Sequence, residues 1–327
     1  MKRREFITLL GGAAAWPLAA RAQQAAMPVI GFLSTSSQGV DDALRLAPFR
    51  DGLKEVGYVE GRNVASEYRG AENHYDHLPE LAADLLRRQV AVIVALGGPP
   101  PALAAKATSI TVPIVFAMGG DPVKLGLVAS LNRPGGNITG VIVFAETIVA
   151  KQFEALHEAV PTATMIGCLL NPNNPNMEML AREAQEATLT LGQKLEVLHA
   201  RNEAELEMAF ATLVQKRVGA LVVVADGLFN NRAEQLAALA THHRLPAIFS
   251  LREYVKVGGL MSYGTNLAEA YRQAGVYTGQ ILKGVKPGDL PVIELSKVEL
   301  IINVKTAEML GISFPLSLLG RTDEVIE

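Results

Sequence analysis

Short runs rich in Val and Ile alternate along the chain with longer segments in which apolar residues recur at helical spacing. From Met27 onward the order reads "PVIGFLS", a helix over 42–56, "NVASEYRG", a helix over 78–88, "VAVIVAL" and a helix over about 100–107. It continues with "VPIVFAM", a short helix over 123–131, and "ITGVIVF". Apolar runs of strand length, each followed by a helical pattern, are the signature of parallel strands joined by crossover helices. The predicted fold class is therefore α/β, with sheets covered on both faces.

A second set of the same kind follows. A helix over 148–159 leads to "MIGCLLN", a helix over 176–191, "KLEVLHA", a helix over 203–216, "ALVVVAD", a helix over 231–242 and "PAIFS". After it come "GLMSYG", a helix over 267–282 and a last strand-like region around "VELIINV". This tail is too long for the second sheet alone. The expectation is a return into the first unit followed by a second crossing back, with one lobe made of 27–143 and 252–285 and the other of 144–251 and 286–327.

In open parallel sheets, ligands bind beyond the carboxyl ends of the strands. "LGGPPP" at 96–101 and "MGGDPV" at 118–123 each leave a strand and enter a helix, so both point to that side. "RPGGN" at 133–137 enters a strand instead, and reads as a turn at the opposite face.

The 327 residues exceed what one hydrophobic core usually holds, in agreement with two lobes. Residues 1–22 have a basic start, an apolar run and small residues at Ala20 and Ala22, the layout of an export signal cut near Ala22. Arg3 and Arg4 match its twin-arginine form. The segment carries a net +3, which leaves −6 on the remainder of a chain whose formal charge is −3. An acidic chain of this kind is a poor partner for nucleic acid. The single cysteine, Cys168, sits in an apolar run and has no internal partner for a disulfide. The expected home is the periplasm, as a soluble monomer.

The sequence carries no recognisable catalytic or cofactor motif. The first strand ends "GFLSTSSQG", which is no dinucleotide fingerprint, and there is no Walker loop, nucleophile elbow or H-E-x-x-H. His74 and His77 have metal-binding spacing but polar surroundings, and His242 and His243 point apart on a helix. Neither a metal, a cofactor nor an enzymatic activity is expected.

Three runs carry a resemblance: "FRDGLKEVGYVEGRNVASEYRGAE", "LPELAADLLRRQVAVIVALGG" and "DPVKLGLVASLNRPGGNITGV". The chain resembles, over 27–320, the ABC-transporter substrate-binding proteins of the tryptophan/phenylalanine-binding type. That resemblance implies a type I periplasmic-binding fold: two doubly wound parallel-sheet lobes, a three-crossing hinge, and a small ligand held in the cleft for delivery to an inner-membrane ABC permease. On this frame the cleft walls are Ser34, Thr35, Gly97, Gly98, Met118 and Asp121 from the first lobe and Asn171 and Asp226 from the second. Tyr263 and Asn266 would return to the first. Ser34 and Thr35 could equally cap a helix, and capping alone explains Asp121. Asp226 closes an apolar strand, where a carboxylate requires donors, a cation or solvent, so ligand contact is favoured there. Pro99, Pro100 and Pro101 supply no N–H, leaving Gly97 and Gly98 as the amide donors of that loop. Two other readings stay open: an effector-sensing domain of the same fold, which would need a DNA-binding segment before the first strand, and a periplasmic enzyme on this scaffold.

Overall fold

Alternate residues of each central strand feed two different cores. In β3 (Val92–Leu96), Val92, Val94 and Leu96 pack with Phe49, Tyr271 and Ala274, whereas Ile93 and Ala95 pack with Leu78, Ala82 and Ala102. This is the double burial that an unbroken apolar run encodes. The computed structural model describes residues 27–143 and 148–327; the export-signal reading concerns residues outside them.

The first sheet runs β11-β5-β4-β3-β1-β2, all parallel. Its strands are β1 (Val29–Ser34), β2 (Ala65–Gly70), β3, β4 (Ile114–Gly119), β5 (Ile138–Val143) and β11 (Ile293–Leu295). The second runs β13-β12-β10-β9-β8-β6-β7. It is built from β6 (Met165–Leu170), β7 (Lys194–His199), β8 (Ala220–Val223), β9 (Ala247–Phe249), β10 (Met261–Thr265), β12 (Val298–Asn303) and β13 (Glu324–Ile326). Its one antiparallel pair is β10 with β12. Cys168 is fully buried in this second core.

Two expected boundaries are corrected. The expected boundary puts "GLMSYG" in the first lobe, but β10 pairs with β9 and β12 and so belongs to the second sheet, as does the helix Arg252–Lys256 packed on it. The return into the first lobe begins only with the helix Leu267–Leu282. That helix packs on the helix Ala47–Glu55 through Gly52 and Gly275, where a Cβ would collide with the backbone of Arg272 and Phe49. The chain then adds β11 to the edge of the first sheet before crossing back, so the second crossing falls between Leu295 and Val298 rather than at 285. An apolar run specifies a buried strand; it does not specify which neighbour pairs with it. The segment 123–131, expected as a helix, is a series of turns, and 227–242 is two helices, Gly227–Asn231 and Ala233–His242. Gly135 and Gly136, both at positive φ, form the turn expected of "RPGGN".

Candidate functional site

The carboxyl ends of β3, β4 and β5 face those of β8, β9 and β10 across a cavity of about 480 Å³, a size ordinary for a small-molecule pocket. Five of the ten sequence-derived positions line it: Gly97, Gly98, Met118, Asp121 and Asp226.

At the end of β3, Gly97 and Gly98 have φ of 87° and 115°, and Gly98 caps the helix Pro99–Thr108. The three prolines are its first three residues, where a missing N–H costs the helix nothing. Both glycines line the cavity.

Asp226 is 5% exposed and N-caps the helix Gly227–Asn231. Its Oδ1 accepts from Asn171 Nδ2 at 3.0 Å and from Leu228 N–H at 2.9 Å, and its Oδ2 from Asn174 Nδ2 at 2.9 Å. Burial pushes its pKa up, against the pull of these donors. Asp226 thus caps a helix and also lines the cavity. The Tyr75 phenol, across the cleft, is raised by burial and then by the charge of Asp226.

The other predicted positions play supporting roles. Ser34 and Thr35 are fully buried and outside the lining: Ser34 Oγ accepts from Ser36 N–H at 3.2 Å, and Thr35 Oγ1 donates to Gly97 O at 3.3 Å. Thr35 thus holds the loop it was expected to flank. Asn171 orients Asp226. Asp121 accepts from the N–H groups of Val123 and Lys124, as a cap does, while also reaching the cavity. Tyr263 packs against the core of the second sheet, a direct result of β10 lying there. Asn266 caps the helix Leu267–Leu282 and donates to Glu299 at 3.4 Å. Neither lines the cavity.

Several lining residues escaped the sequence reading. Arg45, 1% exposed, donates to Tyr271 Oη at 3.2 Å, Ser36 Oγ at 2.9 Å and Asn231 Oδ1 at 3.0 Å. Asn231 Nδ2 in turn donates to Asn73 at 3.0 Å. These last bonds run from one lobe to the other. Beside them, a Cβ on Gly227 would stand 2.5 Å from Gly97 O, 3.1 Å from Thr35 Oγ1 and 3.2 Å from Tyr75 Oη. The lobes are in contact at this end of the cleft. Among the described residues no group of three or more His, Cys, Asp or Glu side chains could hold a metal, and no helix is long and apolar enough to cross a membrane.

The ABC transporter substrate binding protein family matches residues 36–326. The chain belongs to this family. Within the family, it is 27% identical over 262 residues, 80% of this chain and 75% of the other, to a protein of Clostridioides difficile named tyrosine-binding protein. It superposes on the ABC domain from Streptococcus pneumonia in complex with L-Trp with a TM-score of 0.82 at 26% identity. Against the ligand-free, open structure of a substrate binding protein with adhesive properties from Clostridium difficile the TM-score is 0.63 at 25% identity. Both superpositions cover 91% of this chain and 99% of the other.

Proposed function

We propose that this substrate-binding protein is the extracytoplasmic receptor of an ABC importer and that it captures an aromatic amino acid between its lobes. The observation that carries the reading is the mixed lining of the cavity, which brings Gly97, Gly98, Arg45 and Asp226 together with the apolar Met118, Val143, Ile148, Val149 and Leu251. A ligand carboxylate fits the amide donors, an ammonium group fits the negative charge of Asp226, and an apolar side chain fits the apolar part of the lining. The tyrosine-binding relative and the structure with bound L-Trp support this class of ligand.

In the same reading residues 1–22 direct export through the twin-arginine route, the receptor works in the periplasm as a monomer, and its partner is an inner-membrane permease. It performs no catalysis. Calorimetry with L-tyrosine, L-tryptophan, L-phenylalanine and L-leucine tests the ligand class: the aromatic three are expected to bind at least tenfold more tightly than L-leucine. Native mass spectrometry of protein purified from the periplasm should find such a molecule bound. A co-purified sugar, or equal affinity for L-leucine, would overturn the reading. For export, Arg3→Lys with Arg4→Lys should abolish periplasmic accumulation.

A further inference from the structure

One side chain of the second lobe is read on both of its polar atoms by the first. Asn231 Oδ1 accepts from Arg45 Nη2 at 3.0 Å, and Asn231 Nδ2 donates to Asn73 Oδ1 at 3.0 Å. A guanidinium has no acceptor, so the Arg45 bond fixes which way the Asn231 amide points. Neither Asn73 nor Asn231 lines the cavity. A ligand held there touches neither.

Each half of the contact is held in place by its own lobe. The buried Arg45 also donates to Tyr271 Oη at 3.2 Å and Ser36 Oγ at 2.9 Å, both in the first lobe. Asn73 stands in a loop where two successive residues, Glu72 and Asn73, have φ of 50° and 68°. Residues other than glycine enter that backbone region at a cost and keep it where their surroundings impose it. Here Asn73 N–H donates to Thr35 O at 2.6 Å and His74 N–H to Ala71 O at 2.8 Å. In the second lobe the helix Gly227–Asn231 is tied down through Asn230, whose Oδ1 accepts from Tyr254 Oη at 3.2 Å and from Ser250 Oγ at 3.4 Å. That helix starts from Asp226 in the cavity wall and ends at Asn231. Groups fixed beforehand lose little freedom when they meet.

We propose that Asn231 is the latch of the receptor: a positioning residue that binds no ligand and lengthens the stay of every ligand, by holding the lobes together through Arg45 and Asn73. This rests on capture between the lobes, proposed above, and not on which ligand is captured. The lobes part to release a ligand, and parting breaks both bonds at once. Because the bonds join protein to protein, they favour the joined form by the same factor whatever lies in the cavity. A residue that touched the ligand would instead change the ratio between ligands.

The test measures L-tyrosine and L-tryptophan on the full receptor, by calorimetry and stopped flow, in the native protein, Asn231→Ala, Asn73→Ala and the double variant. Asn231→Ala is expected to weaken both ligands by the same factor, about tenfold or more, since it removes a bond from a charged donor as well as a neutral one. The loss should appear as faster dissociation, with association within about threefold. Asn73→Ala, on the other lobe, should weaken both by about three- to tenfold alone and by less than about twofold beside Asn231→Ala, because the bond it removes is then already gone. A simple loosening of either lobe would not produce that coupling. Factors that differ between the two ligands by more than about threefold, or an Asn73→Ala effect that persists beside Asn231→Ala, would overturn the latch. Binding of neither ligand would remove the aromatic amino-acid reading and leave the latch to a measurement without ligand. Spin labels on Val123→Cys and Glu203→Cys, one exposed position on the cleft side of each lobe, then report the lobe separation. The otherwise native protein should show a short-distance population that Asn231→Ala loses, and identical distributions would overturn the proposal.

Discussion

Replacing Gly227 by Ala adds one methyl group at the point where the lobes touch. In this structure that carbon would stand 2.5 Å from Gly97 O, several tenths of an ångström inside the closest approach of real carbon and oxygen atoms. The obstacle is backbone, so no side chain can swing aside. The lobes must separate locally, which stretches the 3.0 Å bonds from Arg45 to Asn231 and from Asn231 to Asn73. Overpacking of this kind costs about 1–3 kcal/mol. If ligand is held only by the closed form, apparent affinity falls with the population of that form, by about 5- to 150-fold at 1.4 kcal/mol per decade. The three nearest atoms a Cβ would meet belong to the first lobe, so the open form accommodates the methyl group and the melting temperature of the unliganded protein should stay within a degree or two, as expected of a change well under 0.5 kcal/mol. Calorimetry with L-tyrosine or L-tryptophan measures the affinity, and small-angle scattering measures compaction at saturation. Affinity within twofold of the native value, with the same compaction, would refute the closure argument. A lowered melting temperature without ligand would place the clash inside one lobe instead.

Three further outcomes follow from the charges and the core. Burial raises the pKa of Asp226, so affinity for an ammonium ligand should be lost, as pH falls, above the ordinary carboxylate range; Asp226→Asn should flatten that dependence and weaken binding by about 1.5–3 kcal/mol. The groups facing Asp226, Tyr75 and Tyr254 with phenols raised by burial, stay neutral through that range. Asp84 is held down to about 2, first by Arg69 at 2.7 Å and then by Arg88 and Arg87. A lowered carboxyl contributes stability above its unfolded value and loses it as pH falls through about 2, and carbon NMR should see its titration move back toward 3.8 in Arg69→Met. Burial pushes the Cys168 thiol up to about 12, so a thiol reagent at pH 8 should leave the folded protein unlabelled and react only after denaturant is added.

The sheets were legible because their central strands are short, β-branched and apolar without a break, and the helix Ile148–Ala159 and the helix Leu267–Leu282 were read to the residue. What the pattern could not carry was partner choice. "GLMSYG" reads as a buried strand in either lobe, and its place beside β9 is decided by β12, which pairs with it from some forty residues later. That one misplacement took Tyr263 and Asn266 into the cleft, where neither stands. Arg45 was missed for a related reason. In "ALRLAP" it looks like a solvated helix residue, and its burial depends on Tyr271 and Asn231, more than 180 residues away in sequence. Asp226, by contrast, was found because a carboxylate after five apolar residues is costly wherever it sits.

The late crossings mean that order of synthesis and order of assembly do not match. The first sheet receives its edge strand only at Ile293–Leu295, and the helix that covers Phe49, Leu53 and Val94 only at Leu267–Leu282. The second sheet waits for β12 and β13. A nascent chain that stops before residue 260 therefore holds two unfinished sheets, each with bare apolar surface and an open hydrogen-bonding edge. Both lobes are therefore completed only by the last quarter of the chain.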